Sequence, residues 1–329
     1  MPKILFLLLF LLLTTPILSA ENKISIEPTI SHEYGSAWFT MQVTEPVRVP
    51  QNEVDFTETV GQSELRYPLD VVMGGVRLLH QSQINHSRRL SLYLHIRHNL
   101  NQPSEKMEDT DWFGSKNNSV TNLYKFSYTK SRSEISWTSA ELGAELNNFK
   151  LMKKNVSYGS KVLIDYSSHE MFGVAGWQKW PNTERIEFDE FQDTEVLTYQ
   201  LFSIETSVYV DFDILKLAKF KWNMQFSISP FVMTKDKDDH VLRNKNSYTD
   251  AFGFGAGFGS QFEYFMIKHF AFIADARVRY FRTKGSMDQR FYADDPGAAG
   301  DQAGLEFNDI DNVISMFTQQ ITLGLRWQY

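Results

Sequence analysis

Cysteine is absent from the 329-residue chain. Its absence excludes a disulfide framework, a thiolate zinc site, a catalytic thiol and a lipidated N-terminal cysteine. The chain also lacks a basic footprint, because 33 Lys and Arg face 40 Asp and Glu for a net charge of −7. We therefore expect no nucleic-acid partner. Aromatic residues, in contrast, make up 14% of the chain and charged residues 22%, which is typical of a folded protein and not of a disordered one.

The N-terminus has the organisation of a secretory signal peptide. Lys3 precedes the apolar run 4–13, and small residues end the segment at Ser19 and Ala20. A membrane anchor is the alternative, which the lack of basic residues directly after the run disfavours. No later stretch approaches the 18 consecutive apolar residues of a transmembrane helix. The sequence thus predicts a signal peptide at residues 1–20 and a mature chain at residues 21–329.

The mature chain repeats a hydrophobic period of two residues. At its C-terminus, residues Ile321, Leu323, Leu325, Trp327 and Tyr329 alternate with polar residues or glycine. Segments 90–97, 219–228 and 270–280 show the same alternation, with charged side chains concentrated on one face. A soluble sandwich would also alternate, but its apolar faces would be directed towards each other. Apolar residues towards lipid and polar residues inside are typical of a membrane barrel, so an all-β fold is predicted.

Ten strands are predicted, at residues 24–44, 63–79, 88–100, 131–147, 166–180, 195–212, 217–235, 249–264, 269–283 and 313–329. Long loops are expected at one end of the barrel, at residues 45–62, 101–130, 181–194, 236–248 and 284–312. The connections at the opposite end are expected to be short turns, except for the longer connection 148–165. Long loops face the exterior in such barrels, and several strands exceed the nine to eleven residues that lipid requires. We therefore expect a ten-stranded antiparallel transmembrane β-barrel that projects above the outer leaflet, with its function at that end.

Two acidic segments in the long loops carry candidate chemistry. Asp109 and Asp111 lie in the second loop, and Asp236, Asp238 and His240 in the fourth. In an extended chain, residues two positions apart point the same way. An aspartate beside a histidine holds the imidazole in one tautomer, and two close carboxylates share a proton. These groups could activate a water for attack on a peptide carbonyl; alternatively, they only hold solvent or divalent cations. No metal-ligand spacing is present, and no catalytic metal is predicted.

The two acidic motifs resemble those of the omptins, which are outer-membrane endopeptidases of Gram-negative bacteria. The family has Asp-x-Asp-Trp in the second loop and Asp-x-Asp-x-His in the fourth loop of a ten-strand barrel, at a similar separation. Residues 109–112 and 236–240 match these motifs. Weaker similarities occur at residues 63–67, 175–178, 283–285 and 303–306. The resemblance covers the mature chain and implies an aspartate- and histidine-dependent endopeptidase, a hydrolase.

The resemblance also implies a role for each catalytic residue. Asp238 orients His240, and this dyad activates water. Asp109 and Asp111 face the dyad across a groove and hold the same water or the developing oxyanion. The implied location is the bacterial outer membrane, with the active site facing the cell exterior, and a monomer is expected.

Substrate recognition is implied to depend on two further acidic residues. Asp236 and Glu45 match the pocket for a basic residue before the scissile bond, so the expected substrates are basic, often dibasic, peptides or proteins. No cofactor is expected. Outer-membrane lipid is an expected partner, and lipopolysaccharide is a possible activator, although the third loop departs from the family after Gln178, with Lys179-Trp180-Pro181 in place of its pattern. The alternative is a non-proteolytic barrel whose acidic loops bind a cationic or host-surface ligand.

Overall fold

The computed structural model describes residues 22–46, 57–85, 88–117, 120–148, 158–179, 186–188, 195–294 and 302–329. The predicted signal peptide and residues 149–157 of the connection 148–165 lie outside these ranges. Within them, the only helical segment is a single 3-10 turn at Val241–Arg243, so none of these residues forms a membrane-spanning helix.

Thirteen β-strands make up the described part of the chain. They are β1 (Asn22–Pro46), β2 (Thr57–Pro68), β3 (Val71–Asn85), β4 (Arg88–Asn99), β5 (Lys106–Asn117), β6 (Val120–Asn148), β7 (Tyr158–Lys179), β8 (Ile186–Phe188), β9 (Glu195–Lys216), β10 (Phe220–His240), β11 (Lys245–Ile267), β12 (Phe270–Phe291) and β13 (Glu306–Gln328). All of their pairings are antiparallel.

Ten of these strands close a ring, which confirms the predicted ten-stranded antiparallel barrel. The order is β1-β3-β4-β6-β7-β9-β10-β11-β12-β13, and β13 pairs with β1. Strands β2 and β5 pair with each other and with the far halves of β1 and β6. They therefore continue β3 and β4 beyond short interruptions at residues 69–70 and 100–105, and they raise the wall of the barrel on that side.

The barrel has two different ends. The connections after β1, β5, β7, β10 and β12 lie at one end, here called the loop end. Those after β3, β6, β9 and β11 lie at the other end, here called the turn end, together with the first residue of β1 and the last residue of β13. Most strands extend further towards the loop end than the sequence predicted, whereas β7 and β9 end there within one residue of the predicted bounds.

The loop bounds expected from the sequence were therefore wrong at several places. Much of 101–130 belongs to β5 and β6, and most of 236–248 belongs to β10 and β11. Beyond the lipid a strand no longer needs an apolar outer face, so its residues resemble a loop although the backbone pairing continues. The hairpin between β10 and β11 closes tightly, with Asn244 in the left-handed region at φ 53°, a conformation that asparagine tolerates.

An apolar band surrounds the turn-end part of the barrel. On β10, exposed apolar side chains continue to Phe231, and Lys235 follows on the surface; on β12 they continue to Tyr280, and Arg282 and Lys284 follow. Membrane barrels have such a band, about 25 Å tall. The strand segments beyond Phe231 and Arg282 therefore lie outside the membrane-spanning part.

Buried ion pairs fill the lumen inside this band. They include Arg77 with Glu27 (2.7 Å), Arg97 with Glu33 (2.6 Å) and Glu141 (3.0 Å), Arg277 with Glu141 (3.2 Å), Arg279 with Asp165 (2.5 Å) and Glu205, and Arg326 with Glu27 (3.0 Å) and Glu263 (2.5 Å). Buried charges need such partners, because removing an ion from water costs several kcal/mol. The network cross-links opposite walls of the barrel.

An apolar layer lies above the ion pairs, towards the loop end. Along β12 the inward residue after Arg279 is Phe281. Along β9 the inward residues beyond Glu205, in the direction of the loop end, are Ser203, Leu201 and Tyr199. The rings of Phe39 and Tyr199 contact each other with centroids 3.8 Å apart and their planes tilted by 35°. This layer forms the floor on which the loop-end side chains lie.

Candidate functional site

The β10–β11 hairpin presents a ladder of polar pairs on its inner face. Asp238 pairs with Ser247, and His240 pairs with Lys245. One step closer to the membrane, Asp236 pairs with Thr249. Directly opposite residues of an antiparallel pair lie on the same face. The side chains of the Asp-x-Asp-x-His motif therefore all point into the barrel from β10. Their partners on β11 form a second row of polar side chains beside them.

Asp238 and His240 are in direct contact. Asp238 Oδ2 lies 2.9 Å from His240 Nε2, and the two side chains are only 14% and 15% exposed. The second carboxylate oxygen of Asp238, Oδ1, is buried and makes no hydrogen bond. With Nε2–H donating to the carboxylate, Nδ1 of His240 is the nitrogen that can accept a proton.

The second acidic motif lies on β5 and is held by two serine hydroxyls. Ser127 on β6 donates a hydrogen bond from Oγ to Oδ2 of Asp111 at 2.5 Å. Ser63 on β2 donates to Oδ1 of Asp109 at 3.4 Å. Both contacts cross between paired strands, so the raised wall of the barrel fixes the direction of both carboxyl groups.

The electrostatics unite the two motifs in one site. Burial raises the pKa of Asp109 to about 7, the negative charges of Asp111 and Asp238 raise it too, and His240 and Lys245 lower it. Asp109 thus senses charges on β5, β10 and β11 together. Asp109 therefore interacts electrostatically with the other three residues that the sequence singled out for catalysis, and its raised pKa lets it hold a proton near neutral pH.

Asp236 lies deeper, against the apolar floor. Its side chain is 7% exposed, Tyr199 donates its hydroxyl hydrogen to Oδ2, and Oδ1 is buried without a hydrogen bond. Burial raises the pKa of Asp236 to about 7. Glu45, the other predicted pocket residue, is in β1 opposite Thr59, and its side chain lies outside the described part of the structure.

Lys245 was missed by the sequence analysis. Its side chain is 3% exposed and lies among the charges of Asp238, Asp111 and Asp109. Burial lowers the pKa of Lys245, and these carboxylates oppose that shift. The sequence analysis placed Lys245 in the predicted loop 236–248. In the structure the chain turns within residues 241–244, so Lys245 is already in β11 and lies opposite His240. The alternation Lys-x-Ser-x-Thr at residues 245–249 could have indicated a strand at this position.

The hairpin that carries Asp109 and Asp111 has its own aromatic packing. Phe113 contacts Tyr124 and Phe126 with ring centroids 6.1 and 6.4 Å apart. Lys125 lies over the Tyr128 ring at 4.7 Å. Such pairs contribute about 0.5–1.5 kcal/mol each. They stiffen a part of the barrel wall that projects beyond the membrane and holds one side of the site.

These groups can transfer protons and can stabilise charge that develops on a bound substrate. The site combines carboxylates, an imidazole, hydroxyls and an amine at short range. Positioned acids and bases of this kind accelerate reactions by about 10²- to 10⁴-fold. Across the ranges that the structure describes, no three His, Asp or Glu side chains are grouped so that they could share a metal ion.

The buried carboxyl of Asp236 makes stability depend on pH. Its pKa is raised in the folded state to about 7, against about 3.9 in the unfolded chain. The stabilisation by the neutral form is complete below about pH 4 and is lost as the pH rises through 7. Asp236→Asn is therefore expected to stabilise the barrel at pH 8, by about 1–4 kcal/mol, and not at pH 4.

Urea unfolding in micelles at both pH values measures this difference. Asp250→Asn is the matched control, because this exposed carboxyl is on the same hairpin, where it pairs with Lys235. An equal response of the two variants at pH 8 would contradict the burial argument.

Comparison with known proteins identifies a matching family model and a solved structure with a similar fold. The model of the Omptin family matches residues 76–327. The crystal structure of the outer membrane protease OmpT from Escherichia coli covers 93% of this chain and 97% of its own, with 11% identity and a TM-score of 0.67. At that identity the similarity shows a shared fold alone.

Weaker matches occur among other barrels. The outer membrane protein OprG from Pseudomonas aeruginosa matches with 8% identity and a TM-score of 0.29, over 94% of this chain and 97% of its own. The transport unit of the autotransporter AIDA-I from Escherichia coli has 9% identity and a TM-score of 0.31, over 96% and 93%. Scores this low support no argument about the site. No curated protein matches this chain.

Proposed function

Because this chain belongs to the omptin family, a family of bacterial outer-membrane proteases whose model matches residues 76–327, we propose that it is an endopeptidase that cleaves beside basic residues. The observation that carries the proposal is the 2.9 Å contact of Asp238 with His240, at a site where both charges act on Asp109. In this proposal His240 is the base, Asp238 is the carboxylate that orients it, and Asp109 and Asp111 are the opposing carboxyl pair.

The dyad supplies the base in the proposed mechanism. A water bound at Nδ1 of His240 loses its proton to the imidazole as its oxygen attacks the scissile carbonyl carbon. Asp238 stabilises the imidazolium that forms. The imidazolium then returns the proton to the departing amine nitrogen, and the C–N bond breaks. One residue thus acts first as base and then as acid.

The carboxyl pair on β5 has the complementary role. With its pKa raised to about 7, Asp109 can hold a proton beside the carboxylate of Asp111. A protonated carboxyl can donate a hydrogen bond to the oxygen that gains charge in the transition state. The negative neighbour orients the attacking water. Ser127 fixes Asp111 through the 2.5 Å hydrogen bond, so the pair is arranged before the substrate binds.

Asp236 provides the reason to expect a basic substrate. Its buried Oδ1 has no hydrogen bond, and ionising a buried carboxyl without a cation beside it costs free energy. A lysine or arginine side chain of the substrate supplies the missing positive charge and donors. Glu45 is the second acid that we propose for this pocket. A cationic residue is thus favoured over a neutral one of equal size.

The site is proposed to face the cell exterior. In outer-membrane barrels the short turns lie in the periplasm and the longer connections lie outside, and the site lies at the loop end. A monomer is proposed, because one barrel contains all the groups that the mechanism uses. Lipopolysaccharide is proposed as an activator, and the cleavage assay includes it.

Cleavage of a fluorogenic peptide tests the proposal. Refolded protein is incubated with peptides centred on Arg-Arg or on norleucine-norleucine, each with and without lipopolysaccharide. We expect cleavage of the Arg-Arg peptide at least tenfold faster, and no cleavage by the Asp238→Ala, His240→Ala double variant. If a barrel shown to be folded by heat-modifiable gel mobility cleaves neither peptide, the proposal fails and the alternative of a barrel that only binds cationic ligands is favoured.

A further inference from the structure

We infer that three aromatic side chains of the β5–β6 hairpin form an apolar subsite, which binds a large apolar residue of the substrate just after the scissile bond. They are Phe113, Tyr124 and Phe126, here called the aromatic cluster. The inference rests on the proposed function and deepens it, because it adds a second recognition element to the basic residue before the scissile bond.

The aromatic cluster lies on the inner face of the raised wall, next to the acidic pair. Met107 on β5 is buried in the apolar floor. Asp109, Asp111 and Phe113 follow it at intervals of two residues, so all of them point to the same face. Tyr124 on β6 is the register partner of Phe113 and shares this face. Two residues of a strand span about 6.7 Å, and Phe113 therefore begins at about this distance from Asp111 towards the loop end.

The rings of the aromatic cluster keep much of their surface free although they contact one another. The Phe113 ring centroid is 6.1 Å from that of Tyr124 and 6.4 Å from that of Phe126. Phe113 is 44% exposed, Tyr124 54% and Phe126 40%. Phe113 and Tyr124 are directed inward from a part of the wall beyond the apolar band, so lipid does not cover them. Exposed apolar surface beside convergent polar groups is typical of a ligand-binding site.

The neighbouring strand leaves open space beside Phe113. Gly61 on β2 is the register partner of Phe113, so a side chain at this position would point to the same inner face. In the described part of the chain, no heavy atom other than those of its chain neighbours lies within 4 Å of where a Gly61 Cβ would be. The backbone of Gly61 is outside the left-handed region that favours glycine. The missing side chain, and not the backbone conformation, therefore distinguishes this position.

The order of groups on the two walls assigns the subsite to residues after the scissile bond. On β10, Asp236 of the basic pocket lies one step closer to the membrane than Asp238. On β5, Phe113 lies one step further from the membrane than Asp111. The basic pocket and the aromatic cluster thus lie on opposite sides of the level at which water is activated in the proposed mechanism. In an extended peptide, the residues before and after the scissile bond leave it in opposite directions. A substrate with its basic residue at Asp236 therefore directs its next residues towards the aromatic cluster.

A series of fluorogenic peptides tests the inference in the wild-type protein. The peptides share one frame, in which an arginine is followed by Ser-Ser, Phe-Ser, Ser-Phe or Arg-Ser, and mass spectrometry of the products identifies the bond that is cleaved. We expect kcat/KM for at least one of the two phenylalanine peptides to exceed that for the Ser-Ser peptide by about tenfold, because the phenyl ring is removed from water on the aromatic cluster. If the Arg-Ser peptide is cleaved but neither phenylalanine improves on Ser-Ser, the inference fails and the proposed function stands. If none of the four peptides is cleaved, both fail.

Two variants change the subsite in opposite ways. Phe113→Ala removes the central ring, and Gly61→Leu fills the open space beside it. Each is expected to lower the ratio of kcat/KM for the preferred phenylalanine peptide to that for the Ser-Ser peptide from about ten to about one. Gly61→Ala keeps most of the space open and is expected to keep the preference, which separates filling of the space from loss of a glycine.

Tyr248→Ala is the matched control for Phe113→Ala. Tyr248 on β11 is 51% exposed and has Lys237 Nζ 6.0 Å from its ring centroid. It alternates with the inward residues of β11 and so lies on the outer face. Its variant is expected to keep the wild-type preference. Gel mobility after heating shows which variants are folded; if one of the two subsite variants is not, the other decides, and if neither is, the wild-type series decides. A preference that persists in folded Phe113→Ala or Gly61→Leu, or that Tyr248→Ala loses to the same extent, would overturn the inference.

Discussion

Replacing His240 by alanine is expected to lower kcat/KM for an Arg-Arg peptide by about 10²- to 10⁴-fold, which is the usual contribution of a positioned general base. Asp238→Ala is expected to lower it nearly as much, since the imidazole loses the carboxylate 2.9 Å from Nε2 that orients it. Because both residues act on the same proton, the double variant should be little worse than either single variant.

The neighbouring residue provides a matched control for these variants. Asp239 lies between them in sequence but accepts a hydrogen bond from Tyr292 at 3.2 Å and belongs to the opposite face of β10. Asp239→Ala removes the same charge from the same segment. Stopped or continuous fluorescence assays at pH 7 compare the four variants with the wild-type protein. Equal losses in Asp239→Ala and Asp238→Ala would show that net charge matters and the dyad does not.

Replacing Arg97 by methionine is expected to destabilise the barrel by about 3–5 kcal/mol. Arg97 is 3% exposed and binds Glu33 at 2.6 Å and Glu141 at 3.0 Å. Removing it leaves Glu33 without its partner in the lumen, and Glu141 keeps only Arg277. Breaking one side of a buried network costs far more than any surface pair contributes.

The urea midpoint in micelles measures this loss, and gel mobility after heating provides a second probe. Arg282→Met is the matched control, because Arg282 is exposed on β12, and surface substitutions usually change stability by less than about 0.5 kcal/mol. A loss below about 1 kcal/mol for Arg97→Met would mean that water reaches the network and screens its charges.

The ion-pair network and the Asp238–His240 pair lie at different heights in the barrel. The ion pairs inside the apolar band hold opposite walls together, and the apolar layer above them carries Tyr199 under Asp236. The site lies on that layer. A substitution in the ion-pair network should therefore reduce stability first, whereas a substitution in the dyad should reduce activity in a barrel that remains folded.

Two features follow from the sequence by itself, because both are local. A period of two residues needs no knowledge of partners, so ten strands and a barrel with a polar lumen could be predicted. The pairs Asp109 with Asp111 and Asp238 with His240 share a face in any extended segment. The resemblance to the omptins rests on these same residues, and the family match over 76–327 agrees with it.

Strand pairing decided the rest, because a partner across a sheet depends on where each turn closes. The turn at Val241–Arg243 puts Lys245 opposite His240, and a longer loop would have left it in solvent. Pairing across β2, β5 and β6 likewise gives Asp109 and Asp111 the hydroxyls of Ser63 and Ser127. The sequence by itself determined which residues could react, and the tertiary structure decided which charges surround them, since charge interactions depend on distance through space and not along the chain.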